Sequence, residues 1–214
     1  MTNTFMKQDW KKTEKGIYLP SQKPQLICIP PFKFFSITGH GDPNDEAFAE
    51  YIAVLYSLAY AVKMSPKKGI APKDYYDYTV YPLEGVWDLK EEAKKATGHL
   101  FDKKDLVFNL MIRQPDFVTA EFAGEIIHVV KKKKPGELFE KAIFEIIEDG
   151  PSIQMLHAGP YDSEPESFNL MEAFALANGY KRPVHYHREI YLSDARKVAP
   201  EKLRTLLRFK VEKF

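Results

Sequence analysis

The hydrophobic pattern of the chain predicts the same succession of elements twice. The first succession is a strand at 32–38, an amphipathic helix from Asp42 to about Ser65, and strands at 78–87 and 106–113. The second is strand-like at 143–147 and 152–157, helical at 164–178 and strand-like again at 185–192 and 203–211. Two further helical patterns, at 116–134 and 138–142, connect the two halves.

This order predicts an α+β fold of two pseudo-symmetric strand-helix-strand-strand repeats, with antiparallel sheets around a central ligand cleft. We divide the chain into an N-terminal extension at 1–24 and a single domain at 25–214. Within the domain, repeat one covers about 25–113, the connecting helices about 116–142 and repeat two about 143–214. Trp10 and Tyr18 are the residues that would pin the extension to the domain.

The strand at 185–192 carries the most specific chemical pattern. Alternation sends Ile190 and Leu192 to one face and His187, Glu189 and Tyr191 to the other. A carboxylate framed by aromatic rings is typical of a site that receives a cation, or that activates a water molecule in an apolar pocket. We take Glu189 and Tyr191 as candidate catalytic residues, with an exposed acid and a tyrosine covering the sheet as the structural alternative.

Other candidates for the cleft come from the remaining strands and from the turn at 158–160, before the helix of the second half. Strand aromatics are usually core residues, but the pseudo-symmetry allows some of them to face Glu189. On the strand at 106–113 the odd-numbered positions are the more polar, and we expect them to face the cleft. The candidate ligand-binding residues are Tyr78, Trp87, Asn109, Met111, His157, Tyr161 and His187. Glu84 is either a second pocket acid or a residue that caps the turn after Pro82.

A metal site is the rival interpretation of His185, His187 and Glu189. The outer two of these lie roughly 13 Å apart on a straight strand, too far for one ion. We therefore predict no metal. No phosphate-binding glycine loop, nucleotide fingerprint or Gly-x-Ser-x-Gly elbow occurs, so we predict no cofactor.

Charge and composition narrow the class of protein. The 31 basic and 30 acidic residues leave a net charge of +1, which argues against nucleic acid as a partner. The run Lys131–Lys134 is expected to be the solvated last turn of a helix.

With one cysteine, Cys28, a disulfide within the chain is impossible, and we expect Cys28 to be a small buried residue. Neither a signal peptide nor a membrane span is predicted, which favours a cytoplasmic protein.

From about residue 25 onward the chain resembles the GyrI-like small-molecule-binding family, which also supplies the effector-binding domain of multidrug-sensing transcription activators. The stretches that carry the resemblance are Gly39–Asn44, Tyr81–Trp87, His187–Asp194 and Pro200–Thr205. The resemblance implies two repeats around an apolar pocket with an acid on its floor, and Glu189 matches that acid. No helix-turn-helix signal precedes the domain, so a transcription regulator is not expected.

The Pro82-Leu83-Glu84-Gly85-Val86-Trp87 stretch is most similar to a free-standing subgroup of the family, some of whose members are cyclopropanoid hydrolases. The resemblance implies a detoxifying hydrolase that opens the cyclopropane of an electrophilic aromatic genotoxin with a carboxylate-activated water. The partner is then a hydrophobic or aromatic small molecule. The alternatives are a binding protein that sequesters aromatic or cationic drugs, and a protein that modulates gyrase. The pattern leaves the oligomeric state open.

Overall fold

The computed structural model describes residues 7–95 and 102–214. An antiparallel sheet of eight strands forms the body of the fold. In chain order the strands are β1 (Gln25–Ile29), β2 (Phe32–His40), β3 (Leu83–Leu89), β4 (Leu106–Gln114), β5 (Ile143–Ile147), β6 (Gly150–Ala158), the short β7 (Tyr180–Lys181), β8 (His187–Tyr191), β9 (Arg204–Lys210) and the short β10 (Glu212–Lys213). β7 and β10 pair with each other outside the main sheet.

The helices of the described ranges are α1 (Trp10–Thr13), α2 (Lys15–Tyr18), α3 (Glu46–Lys63), α4 (Glu91–Lys95), α5 (Ala120–Lys133), α6 (Glu137–Lys141) and α7 (Glu164–Ala177). The Thr119 hydroxyl accepts a bond from the backbone of Phe122 and so caps α5. Its last turn contains Lys131, Lys132 and Lys133, as the sequence predicted. None of the helices in these ranges is long and apolar enough to cross a bilayer.

The strand order confirms the predicted α+β fold of two repeats. It runs β1-β6-β9-β8-β3-β4-β2-β5. From the centre outward, one side is β3, β4 and β2 and the other is β8, β9 and β6, so the third, fourth and first elements of each repeat are mirrored. β2, α3, β3 and β4 form repeat one, and β6, α7, β8 and β9 form repeat two. The repeats meet where β3 pairs with β8, and Gly85 is opposite Glu189 in that register.

The strand that precedes each repeat pairs with the other repeat. β1 lies beside β6, and β5 lies beside β2. Because only Pro30 and Pro31 separate β1 at one edge from β2 near the other edge, the sheet has to curl until its edges approach. The resulting half-barrel has an outer face, which carries the long helices, and an enclosed inner face.

Helices α3 and α7 cover the two ends of the outer face and leave its centre open. α3 packs on β2 and β4, where Leu55 and Leu58 are fully buried, and α7 packs on β6 through Met171. The apolar stripe of α3 explains this placement, since its buried residues recur at helical spacing. The central pair β3 and β8 is therefore uncovered, and a cleft forms above it.

The inner face is closed by buried charges and by the N-terminal residues. Arg188 donates from Nη1 to Oε2 of Glu84 at 2.8 Å and from Nη2 to Oδ1 of Asp149 at 3.0 Å. Arg113 stacks on the Phe32 ring at 3.4 Å and pairs with Glu14 at 2.5 Å. These ion pairs satisfy polar groups that the curled sheet removes from water.

Three local expectations are wrong. Residues 78–81 form no strand. Tyr78 makes a single β-bridge to Gln8, because the backbone of this segment hydrogen-bonds to the N-terminal residues and not to the sheet. α3 begins at Glu46 rather than after Asp42, whose carboxylate instead accepts the Asn44 backbone N–H and closes a turn. Cys28 is exposed, since it lies on the edge strand β1.

Candidate functional site

A cleft of about 1470 Å³ lies over the central strands β3 and β8. Its walls are α3 on one side and the first turn of α7 on the other, and Trp10 of α1 contributes to its margin. This volume exceeds the 300–1,000 Å³ that is usual for small-molecule sites. The cleft can therefore hold a ligand of several rings.

Glu189 lies on the cleft floor at the pairing of the two repeats. Its carboxylate accepts two hydrogen bonds, from His187 Nε2 to Oε1 at 3.0 Å and from the Tyr191 hydroxyl to Oε2 at 2.9 Å. Because a carboxylate only accepts, His187 must carry a proton on Nε2. Trp87 Nε1 donates to the Tyr191 oxygen at 2.7 Å, which completes a chain of donors that ends at Glu189.

Gly85 makes room for this chain. A Cβ at this position would lie 2.8 Å from Trp87 Nε1 and 3.2 Å from the Tyr191 hydroxyl. Gly85 is also the register partner of Glu189. The Gly85 of the Leu-Glu-Gly stretch is thus required by the side chains that orient the acid, rather than by its backbone angles.

A second carboxyl group, Glu164, lines the cleft next to Glu189. It is the first residue of α7, and only 6% of its surface is exposed. Burial and the adjacent Glu189 raise the pKa of Glu164 to about 10, so it is protonated at neutral pH. Sequence reasoning missed Glu164 because an acid in the first turn of a helix usually complements the helix dipole.

Aromatic rings form the walls above the acids. Phe48 of α3 stacks on Trp87 at 5.8 Å between centroids, and Phe168 of α7 meets the His187 ring at 4.6 Å. Tyr161 meets Tyr191 edge-on at 6.3 Å. Phe48 and Phe168 were not among the predicted ligand-binding residues, although each lies near the start of the long helix of its repeat.

The phenols of Tyr161 and Tyr191, which both line the cleft, remain protonated. Burial and the Glu189 charge raise the pKa of Tyr161 to about 12, and the same causes raise the pKa of Tyr191 well above its usual range. Both residues are therefore hydrogen-bond donors at neutral pH. Such donors can stabilise negative charge that develops on a bound molecule.

The structure brings some of the predicted site residues together and separates others. Trp87, Tyr161, His187, Glu189 and Tyr191 line the cleft. Tyr78 does not; it is buried among aromatic rings, 6.0 Å from Phe117.

Asn109 and Met111 do not line the cleft, because β4 presents its even-numbered residues there. Phe108 is opposite Trp87 and Leu110 is opposite Gly85 in the register, so the odd-numbered residues lie on the inner face. There Met111 accepts a contact from Arg188 Nη1 at 2.9 Å. The polar alternation was real, but it marks the buried charges inside the half-barrel. Glu84 lies on this same face as the partner of Arg188.

His157 lies behind the cleft wall. Its Nδ1 is 2.9 Å from the Ser167 hydroxyl and its Nε2 is 3.1 Å from the Pro160 carbonyl oxygen. These bonds join the end of β6 to the turn and first helical residues that carry Tyr161 and Glu164. In the part of the chain that the structure describes, no three His, Cys, Asp or Glu side chains are grouped to hold a metal.

Comparison with known proteins agrees with this architecture. A hydrolase from Listeria innocua is 34% identical, with 96% of this chain and 100% of that chain covered and a TM-score of 0.86. An uncharacterized conserved protein from the same organism is 36% identical at the same coverage, with a TM-score of 0.85. The C-terminal domain of EcmrR, at 16% identity and a TM-score of 0.54, shares the fold alone. No curated protein matches the sequence significantly.

The sequence profile of the GyrI-like small molecule binding domain matches residues 22–212, nearly the whole chain. The match includes both repeats and every residue of the cleft floor described above. Together with the half-barrel and its central cleft, it identifies the chain as a member of the GyrI-like small-molecule-binding family.

Proposed function

We propose that this protein is a detoxifying hydrolase that opens the strained cyclopropane of a flat, electrophilic aromatic molecule. The observation that carries the proposal is the Glu189 carboxylate, held by two donors on the floor of an aromatic cleft. A base in that position can take a proton from a water molecule that is placed against the substrate. The similar Listeria innocua protein described as a hydrolase supports this class of activity.

In the proposed reaction, Glu189 takes one proton from water as the water oxygen attacks the ring CH₂. The new C–O bond forms while one cyclopropane C–C bond breaks, and its electron pair moves through the conjugated ring to the substrate's carbonyl oxygen. That oxygen becomes an aromatic phenolate and takes a proton from solvent. Glu189 then returns its own proton to solvent, so that the sum is addition of one water molecule.

The walls of the cleft supply positioning. Trp87 and Phe48 are stacked on one side, and Phe168 with His187 lies on the other. Flat rings bind well between such surfaces. Tyr161 and Tyr191 line the cleft beside Glu189 as protonated phenols, and they are the groups that would stabilise negative charge that develops on the substrate. Relief of ring strain and aromatisation provide the driving force, so positioning and one base are sufficient.

A second candidate function is sequestration of cationic aromatic drugs. It is favoured by the same carboxylate framed by rings, since a cation over aromatic faces is attracted to them and to the acid. A sequestering protein is consumed one equivalent at a time, whereas a hydrolase turns over.

The deciding experiment is incubation of a cyclopropane-bearing alkylator with substoichiometric protein in oxygen-18 water, followed by mass spectrometry. We expect many equivalents of ring-opened product with one labelled oxygen, and loss of turnover in Glu189→Gln. The exposed Glu166→Gln on α7 is the control variant. Consumption of one equivalent or less would refute the hydrolase and favour sequestration.

A further inference from the structure

Glu164, the first residue of α7, is a buried acid that lines the cleft. Glu164 is buried, and its Oε1 receives no hydrogen bond from any described group. In the described ranges no lysine or arginine forms an ion pair with it. A buried charged oxygen without a donor is strongly unfavourable, so this carboxyl group has a physical reason to be neutral.

Its neighbour is in the opposite situation. Both oxygens of Glu189 already accept hydrogen bonds, from His187 and from Tyr191. The two carboxyl groups contact each other, and two acceptors in contact require a proton between them. The donors on Glu189 make it the ionised member, so the shared proton belongs to Glu164.

The groups that face Glu164 come from three elements. β8 contributes Glu189 and Tyr191, β9 contributes the Thr205 hydroxyl, and the turn before α7 contributes Tyr161. Among these groups, the charge of Glu189 has the largest effect in raising the pKa of Glu164. The electrostatics of the pair therefore agree with the hydrogen-bond geometry.

We infer that Glu164 is a positioning residue: in the resting protein its carboxyl group is protonated and donates a hydrogen bond to Glu189, so that the pair carries one negative charge. This third donor fixes the Glu189 carboxylate against the cleft floor with a free lone pair toward the substrate. The effect on turnover rests on the proposed function, whereas the charge state does not. A glutamine amide can donate the same bond, but an apolar side chain cannot.

The kinetic test compares Glu164→Gln and Glu164→Met with the wild type on the cyclopropane-bearing alkylator. We expect Glu164→Gln to keep kcat within about threefold, because one neutral donor replaces another. We expect Glu164→Met to lower kcat by about 100-fold with little change in KM, because the base is no longer aligned. Equal losses in both variants would overturn the positioning role, since they would mean that the proton itself must move.

The charge test needs no turnover and remains decisive if the wild type is not a hydrolase or Glu164→Met does not fold. A cationic aromatic dye is titrated at pH 7 into the wild type, Glu164→Gln and Glu189→Gln, with the exposed Glu166→Gln as control. We expect unchanged affinity in Glu164→Gln and about tenfold weaker binding in Glu189→Gln, because one variant keeps the single charge and the other removes it. Equal weakening in the two cleft variants would show two ionised acids and refute the inference.

Carbon-13 NMR of labelled glutamate gives the same answer directly. The wild type should contain one carboxyl resonance that stays in the protonated position through neutral pH, and Glu164→Gln should lack it. If all glutamate resonances of the wild type have titrated by pH 7, Glu164 is ionised and the inference is wrong.

Discussion

Gly85 and Glu189 face each other across the central strand pair, and the missing side chain of one makes room for the contacts of the other. Trp87 lies two residues after Gly85, and Tyr191 lies two residues after Glu189 on the opposite strand. Trp87 Nε1 donates to the Tyr191 hydroxyl oxygen at 2.7 Å, above Gly85. The site is therefore made by the junction between the two repeats, and each repeat supplies half of it. Glycine is needed at this junction because any Cβ would separate the tryptophan from the tyrosine.

Gly85→Ala should break the chain of donors while the sheet remains paired. The new methyl would lie 2.8 Å from Trp87 Nε1, so the indole must move. We expect a loss of about 1–3 kcal/mol in the free energy of unfolding and a fall in kcat of at least about tenfold. Urea denaturation and turnover assays measure the two effects.

Gly124→Ala is the matched control for that substitution. Gly124 lies within α5, and nothing stands within 4 Å of a Cβ built there. Helix propensity should make this variant about 0.5–1 kcal/mol more stable than the wild type, with unchanged turnover. If Gly85→Ala behaved like Gly124→Ala, the steric account of Gly85 would be wrong.

Tyr191→Phe removes the hydroxyl that links Trp87 to Glu189. The indole N–H then loses its acceptor, which should cost about 1–3 kcal/mol of unfolding free energy. Turnover should fall further than in Tyr161→Phe, because Tyr161 makes only a ring contact with Tyr191. Steady-state kinetics of the two variants side by side check this order, and equal rates would exclude a role for the Tyr191 hydroxyl.

Glu164 should make the protein less stable as the pH rises. Burial raises its pKa from about 4.5 to about 10, so between these values the folded protein keeps a proton that the unfolded chain has released. Stability then falls with rising pH, by up to about 1.4 kcal/mol per pH unit for this one group. Glu164→Gln removes the effect, and its advantage over the wild type should grow between about pH 5 and pH 9.

Urea denaturation at several pH values measures that difference. Glu166→Gln, on the exposed side of the same helix, should follow the wild type at every pH. Parallel curves for the wild type and Glu164→Gln would mean that Glu164 is ionised in the folded protein.

Arg188→Leu should be among the most destabilising single substitutions. The arginine is the shared partner of Glu84 and Asp149 on the inner face, and its charge lowers the pKa of Asp149. Removal leaves the buried Glu84 without its ion-pair partner and takes the nearest cation from Asp149, at a cost of about 3–5 kcal/mol in unfolding free energy. Met111→Leu, a neighbour of similar volume, should cost less than about 1.5 kcal/mol. Thermal unfolding of both variants distinguishes an essential ion pair from simple packing.

The hydrophobic pattern predicted the two repeats, and the resemblance to the family indicated Glu189 as an acid of the cleft. Period-two alternation singled out the strand that contains Glu189, because its polar face carries aromatic and titratable groups instead of lysines. Alternation alone left an exposed acid open, and the family resemblance favoured the cleft. The same reasoning failed at Asn109 and Met111. Alternation shows that a strand has two faces, but in a half-barrel the enclosed face can be the polar one, as it is around Arg188.

Glu164 was beyond sequence reasoning for a different reason. An acid before a proline at a helix start has an ordinary explanation, and its burial depends on how α7 docks on β6. That docking is fixed in part by His157, which ties the turn to the helix. Contacts between distant segments thus decide which of the two glutamates is charged, and local pattern carries no information about them.

The exchange of β1 and β5 between the repeats interlocks the two halves of the molecule. Each half lacks one of its own edge strands and completes its sheet with a strand from the other half. Neither half can therefore open by itself without breaking the sheet of its neighbour, and pairing between such distant segments makes folding slow and cooperative. The pairing of Glu189 with Gly85, where β3 meets β8, should persist under partial denaturation for as long as any of the sheet survives.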